Sequence, residues 1–211
     1  MPKKLLDLEP LRRNAILNAA LKEFALKGFD KASTNVIAKE SGISKPLMFH
    51  YVGNKQELFL LVYDYFTEIL NNEYFLKMDF TKKDIFDRLR QSYLLQLELI
   101  KQYPWIFELN KLSIITNSDE VNKELEKRDR KKQSSCGTEI FEMIDESKFR
   151  TGLNIEKCKQ VIFWANVGFT NELLEDIKKS EASIMDYERI VSTLDEYFEE
   201  LRKIFYTASN E

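Results

Sequence analysis

Three observations predict an all-α fold. Apolar side chains recur at helical spacing through almost the whole chain of 211 residues. Glycine and proline are scarce, at 6 and 4 residues, and positions 54–103 contain neither. Strand-rich folds need turn residues about every 8–12 positions, so a β-sandwich or barrel is excluded. The hydrophobic fraction of 44% is enough to bury a core, while 32% charged residues cover a solvated surface.

The spacing predicts about nine helices, with no internal repeat and no low-complexity tract. Ile16, Ala19, Ala20 and Phe24 form the first stripe, and Gly28 ends that helix by accepting a left-handed cap. Ser33 or Thr34, both good N-caps, opens a short second helix that closes at Gly42. Ile43 and Ser44 link into a third short helix, which tolerates Pro46 in its first turn because amides there lack intrahelical acceptors. Gly53-Asn54 breaks the chain, Asn54 caps a fourth helix with Glu57 in the reciprocal position, and Phe59, Val62, Phe66, Ile69 and Leu70 form its stripe. After a linker near Lys77–Thr81, Phe86, Leu89, Tyr93, Leu97 and Ile100 mark a fifth helix that Pro104 ends. Trp105 to about Asn117 reads as a sixth, and Asp119 to about Phe149 as a long, charged seventh. Thr151-Gly152-Leu153-Asn154 separates these from two apolar-rich helices, one carrying Val161, Ala165, Gly168 and Phe169, the other running from Tyr187 to Phe205.

Composition removes much chemistry. The lone histidine and two cysteines, Cys136 and Cys158, leave no zinc set and no two-histidine protease motif, and Leu47 stands where a di-iron Glu-x-x-His pair needs glutamate. Neither a cofactor nor a metal is expected, and no nucleophile–base set is visible, so the chain does not read as an enzyme. No apolar run approaches the roughly 18 residues that span a membrane. The N-terminus lacks the apolar stretch of a secretory signal, which places the protein in the cytoplasm with its thiols reduced and idle. Charge is unevenly spread. The net charge is −3, yet residues 1–60 carry +4 and the remainder −7, so only the head suits a polyanion.

Within that head, helices of about 34–41 and 45–52 joined by Ser41-Gly42-Ile43-Ser44 make a helix-turn-helix. Such a motif places the N-terminal residues of its second helix on base edges in the major groove. Lys45, Pro46, Leu47, Phe49, His50 and Tyr51 crowd into seven positions, too aromatic and too poor in acids for an ordinary solvated face. Met48 and Val52, spaced i, i+4, are read instead as core with Ile37 and Ile43.

Residues 12–60 resemble the N-terminal domain of TetR-type (tetracycline-repressor-like) transcriptional regulators. The matching residues are Ile16-x-x-Ala19-Ala20-x-x-x-Phe24, Gly28-Phe29, Thr34-x-x-Ile37-Ala38, Gly42-Ile43-Ser44-Lys45 and Phe49-His50-Tyr51-Val52-x-Asn54-Lys55-x-x-Leu58. Phe49, Leu47 and Val52 depart from the family's usual Tyr, small residue and Phe. The resemblance implies a three-helix DNA-binding domain over 10–70, its helix-turn-helix at about 33–52, followed by a helical ligand-binding and dimerisation domain over 71–211. By position it implies that Thr34, Tyr51 and Lys55 hold phosphates, Thr34 beside a helix N-terminus that favours an anion. Lys45, Pro46, Leu47, Phe49 and His50 would face the groove, Lys45 donating to guanine and the apolar edges of Pro46 and Leu47 meeting thymine methyls.

For the body, the resemblance implies an effector pocket and a homodimer. Tyr93, Gln96, Trp105, Phe107, Phe141, Phe163, Trp164 and Asn166 combine aromatic walls with polar groups, although each alone also suits a core. Val161, Ala165, Phe169, Val191, Leu194, Phe198, Leu201 and Phe205 are the expected dimer seam, with intramolecular core as the alternative. The basic run at 127–132 lies in Glu/Lys-rich helix and reads as a solvated face. The expected function is a repressor, released from a near-palindromic double-stranded operator when a mostly apolar small molecule binds the C-terminal domain.

Overall fold

The structure is a computed structural model describing residues 4–113, 116–129, 139–179 and 186–207. Eight α-helices occur among them: α1 (Pro10–Lys31), α2 (Thr34–Glu40), α3 (Lys45–Val52), α4 (Lys55–Glu73), α5 (Ile85–Gln102), α6 (Asp119–Asp129), α7 (Ile155–Lys179) and α8 (Tyr187–Phe205). Short 3-10 turns cover Leu5–Asp7, Phe75–Lys77, Ile106–Ser113 and Glu146–Lys148, and the described residues contain no strand beyond a single bridge between Phe149 and Tyr206. The fold is all-α. It divides into two units, Met1–Glu73 with Gln102–Ser134, and Tyr74–Lys101 with Ser135–Glu211. The first therefore includes 102–134, downstream of the segment expected to form the DNA-binding domain.

In the first unit local chemistry sets the element ends. Gly28, at φ +69°, interrupts α1 where its cap was expected, and one further turn carries the helix to Lys31. Ser33 is the N-cap of α2, its hydroxyl accepting from the Val36 amide at 3.4 Å. Gly42, also at φ +69°, turns the chain so that the Ile43 amide donates back to the Ala38 carbonyl at 3.0 Å. Ser44 caps α3 through Leu47 N–H, and Asn54 caps α4 through Glu57 N–H at 2.9 Å. The Asn54 amide also donates to the Glu57 carboxylate, so the expected reciprocal box becomes a side-chain pair. Ile16, Leu17, Leu21 and Phe24 of α1, Ile37 of α2, Met48 of α3 and Leu58 and Phe59 of α4 share the core, each contributing about 1.5–3 kcal/mol on burial. Phe24 and Phe29 meet the Phe59 ring edge-on at 5.0 and 5.1 Å. Arg128 of α6 clamps Asp64 of α4 with two bonds, at 2.7 and 3.1 Å.

Two elements differ from the sequence reading. Trp105–Asn117 is not an α-helix: its regular part is the 3-10 helix Ile106–Ser113. Of the long seventh helix expected over 119–149, α6 covers Asp119–Asp129 and 130–138 lie outside the described residues, while 141–150 is not α-helical and holds the 3-10 turn Glu146–Lys148. The reason is long-range. Arg88, wholly buried on α5, takes up the carbonyls of Glu139, Ile140 and Glu142 at 3.3, 3.1 and 2.5 Å, oxygens that a continuing helix would need for its own amides. It also binds the Phe80 and Lys82 carbonyls at 2.7 and 2.6 Å, which supplies the acceptors a buried cation requires.

In the second unit the rings of Phe86 and Tyr93 on α5 meet Phe198 on α8 at 6.2 and 5.8 Å, and Tyr93 meets Phe169 of α7 at 5.7 Å. One end is tied by Asp84, which caps α5 through the Phe86 amide and accepts from Lys148 and Arg202, both at 2.8 Å. Cys158 is a buried free thiol, and Cys136 lies outside the described residues.

Candidate nucleic-acid interface

Helix α3 divides cleanly. Met48 and Val52 are buried, as their i, i+4 spacing predicts, while Lys45, Pro46 and His50 are exposed and Leu47, Phe49 and Tyr51 half-buried. The Lys45 ammonium stands 5.8 Å from the Phe49 ring centroid, and the His50 and Tyr51 rings meet edge-on at 5.8 Å. An exposed first turn with Lys45 at its start can reach base edges, and the apolar edges beside it can contact thymine methyls.

The three residues expected at phosphates occupy different settings. Thr34 is the first residue of α2, half-buried beside the amides of that helix's first turn. Tyr51 lies near the end of α3 with the Arg12 guanidinium of α1 over its ring at 6.0 Å. Lys55 opens α4 and donates to the Asp30 carbonyl at 3.2 Å, with Phe29 5.0 Å beneath its ammonium. Burial lowers the Lys55 pKa from its ordinary value, against the opposing pull of Asp30 and Glu23. Glu23 is itself buried and accepts the Ser33 amide at 2.9 Å, fixing α2 on α1. Asp30 uses its carboxylate to accept the Asn117 amide at 3.0 Å. Sequence spacing contained no sign of the Arg12, Glu23 and Asp30 contacts, which join residues 10 to 87 positions apart.

The residues proposed for an effector pocket are divided between units. Trp105 and Phe107 belong to the first, the other six to the second. There, the Tyr93 hydroxyl lies 2.5 Å from Thr170 Oγ1 and 3.2 Å from the Asn166 carbonyl, and burial raises its pKa. Gln96 donates to Ser92 at 2.9 Å, Phe141 and Phe163 meet at 6.0 Å, and Trp164 is 64% exposed. Two buried polar atoms, Asn166 Oδ1 on α7 and the Tyr197 hydroxyl on α8, have no hydrogen-bond partner. The Tyr197 ring is stacked on Phe169 at 4.2 Å.

Within the expected dimer seam, Leu194 and Phe198 are 0% and 2% exposed within one chain, and Leu201 and Phe205 are also buried, so these four pack as intramolecular core, the alternative that the sequence left open. Val191, Ala165 and Phe169 are half-buried, and Val161 remains exposed. The outer face of α7 instead presents Val161, Trp164 and Val167, and α8 adds Ile204. Of the basic run, Arg128 is paired with Asp64 and Glu124, Lys127 with Glu124, and 130–132 lie outside the described residues. Among the described residues no group of three or more His, Cys, Asp or Glu could hold a metal ion, and no helix is long and apolar enough to cross a membrane.

Residues 16–67 match the family of bacterial regulatory proteins, tetR family. Over 60 residues the chain is 43% identical to the HTH-type transcriptional regulator BetI of Agrobacterium fabrum and 38% identical to that of Brucella canis. Each match covers 28% of this chain, and 28% and 29% of those relatives' own length. The likeness in fold extends further. The ketosteroid transcriptional regulator KstR2 of Mycobacterium tuberculosis superposes with a TM-score of 0.62 at 16% identity, covering 95% of this chain and 97% of that one. A TetR family transcriptional regulator from Chloroflexus aurantiacus gives 0.58 at 15% identity, covering 96% and 97%.

Proposed function

We propose that the chain, whose residues 16–67 match the tetR family of bacterial regulatory proteins, is a transcriptional regulator, not an enzyme, that binds operator DNA through α3. The observation that carries this reading is the division of α3: Met48 and Val52 hold it to the core while Lys45, Pro46 and His50 are exposed and Leu47 and Phe49 half-buried on one short helix. Thr34, Tyr51 and Lys55 flank that face and supply sequence-independent phosphate contacts. The protein acts in the cytoplasm as a homodimer whose two α3 helices enter half-sites about one helical turn (roughly 34–36 Å) apart, which requires a near-palindromic operator. The exposed apolar face of α7 supports that assembly.

The second unit binds a mostly apolar small molecule, and binding releases the operator, so the regulator is a repressor. The aromatic rings around Tyr93 favour an apolar ligand, and the unpaired Asn166 Oδ1 and Tyr197 hydroxyl favour one bearing a polar group. The test is selection of duplex DNA by the purified protein, followed by affinity measurements across salt concentration. Enrichment of a near-palindromic sequence, with log K falling linearly against log salt, is expected. Recovery of no sequence and no salt-dependent binding would overturn the reading.

A further inference from the structure

We propose that the DNA-binding surface extends beyond the helix-turn-helix onto the first turn of α1, where Arg12 and Tyr51 together hold one backbone phosphate. The inference rests on the proposed function but assigns a residue that is absent from the matching residues of the motif and precedes the family-model match over 16–67.

Arg12 is exposed, and its guanidinium stands over the Tyr51 ring at 6.0 Å from the centroid. A planar guanidinium over an aromatic face keeps its edge N–H groups free, and those edges suit two oxygens of a phosphate. The tyrosine hydroxyl projects from the edge of the same ring, so a phosphate accepting from Tyr51 lies within reach of Arg12. The neighbouring Arg13 is turned elsewhere, donating to the Leu6 carbonyl at 3.4 Å. The ammonium of Lys55 stands at the Asp30 carbonyl and over the Phe29 ring, whereas the cation over the Tyr51 ring is Arg12, so Lys55 serves a separate phosphate. Lys45 serves the opposite end of α3, over Phe49. Arg12 is thus the cation that accompanies Tyr51, and the contact it makes reads no base.

Salt dependence separates this role from a structural one. With full-length protein and the selected operator duplex, Arg12→Ala is expected to make the slope of log K against log salt shallower by about 1.8 and to weaken binding about eighteenfold at 0.2 M salt, the effect of one counterion release from each protomer of the dimer. The loss should be the same on a non-operator duplex of equal length. Arg12→Lys, which keeps the charge, should restore the slope. Operator duplexes carrying a single methylphosphonate add a second readout: one position in each half-site should weaken the wild type markedly and Arg12→Ala, which keeps only the Tyr51 contact there, much less. An unchanged slope in Arg12→Ala, or no such position, would overturn the proposal while leaving wild-type DNA binding intact. Failure of the wild-type protein to bind any duplex would instead overturn the functional reading on which it rests.

Discussion

Lys45 and Lys55 carry the same charge to different tasks, and their surroundings separate them. Lys45 is exposed at the start of α3, whereas Lys55 is half-buried between Phe29 and the Asp30 carbonyl. Replacing Lys45 with Ala should therefore relax preference at one base step, with a loss of discrimination of about 1–3 kcal/mol measured on a panel of singly substituted operators. Lys55→Ala should weaken all duplexes alike; a change confined to one base would remove Lys55 from the phosphate set. Asp84 makes a prediction of another kind. Burial pushes its carboxyl pKa up, but the bonds from Lys148 and Arg202 outweigh this and hold it below its usual value. The folded chain then takes up that proton at lower pH than the unfolded chain. Asp84 stabilises fully above the ordinary carboxylate pKa of about 4, and that stabilisation is lost as pH falls through the depressed folded value. Urea unfolding between pH 6 and 3 should show a steeper acid loss for the wild type than for Asp84→Asn, and parallel profiles would refute the assignment. Residue types and their positions in the head were legible in the sequence. The settings of Lys55 and Asp84 were not, because partners 25, 64 and 118 positions away create them.

Among the elements, α8 shows how far periodicity reaches. Leu194, Phe198, Leu201 and Phe205 lie at i, i+4, i+7 and i+11, which specifies one apolar stripe but not the surface that covers it. In the structure all four are buried within the same chain, and Phe86 and Tyr93 of α5 meet the Phe198 ring. Leu194→Glu should consequently bury an unpaired carboxylate and abolish cooperative thermal unfolding, rather than separate intact subunits. Trp164→Glu, on the exposed face of α7, should melt like the wild type yet sediment as a monomer at concentrations where the wild type sediments as the proposed dimer. A Trp164→Glu dimer of wild-type affinity would place the interface elsewhere. The helix expected over 119–149 failed for a related reason. Its composition is helical, but Arg88 recruits the carbonyls of Glu139, Ile140 and Glu142, and no local propensity registers a cation 51 to 54 positions away.

For the whole molecule, the repressor reading requires that effector and operator oppose each other. By linkage, a ligand that weakens operator binding must itself bind more weakly to the operator complex, by the same factor, typically about 1–3 kcal/mol. Titrating an apolar compound found by thermal-shift screening, with and without operator, should give affinities that differ by about 5–150-fold. Equal affinities would exclude that compound as the effector of such a mechanism. What the sequence by itself determined is the all-α class and the helix-turn-helix, down to the inward Met48 and Val52 and the turn at Gly42. These follow from spacing, caps and backbone freedom, all of which act within a few residues. Tertiary structure alone decided that 102–134 joins the N-terminal unit, that the α8 stripe is core, that 141–150 leaves the helix, and that Arg12 stands over Tyr51. The physical reason is common to all four. An amphipathic face or a charged side chain specifies the kind of partner it needs, and only the folded chain brings a particular one within reach.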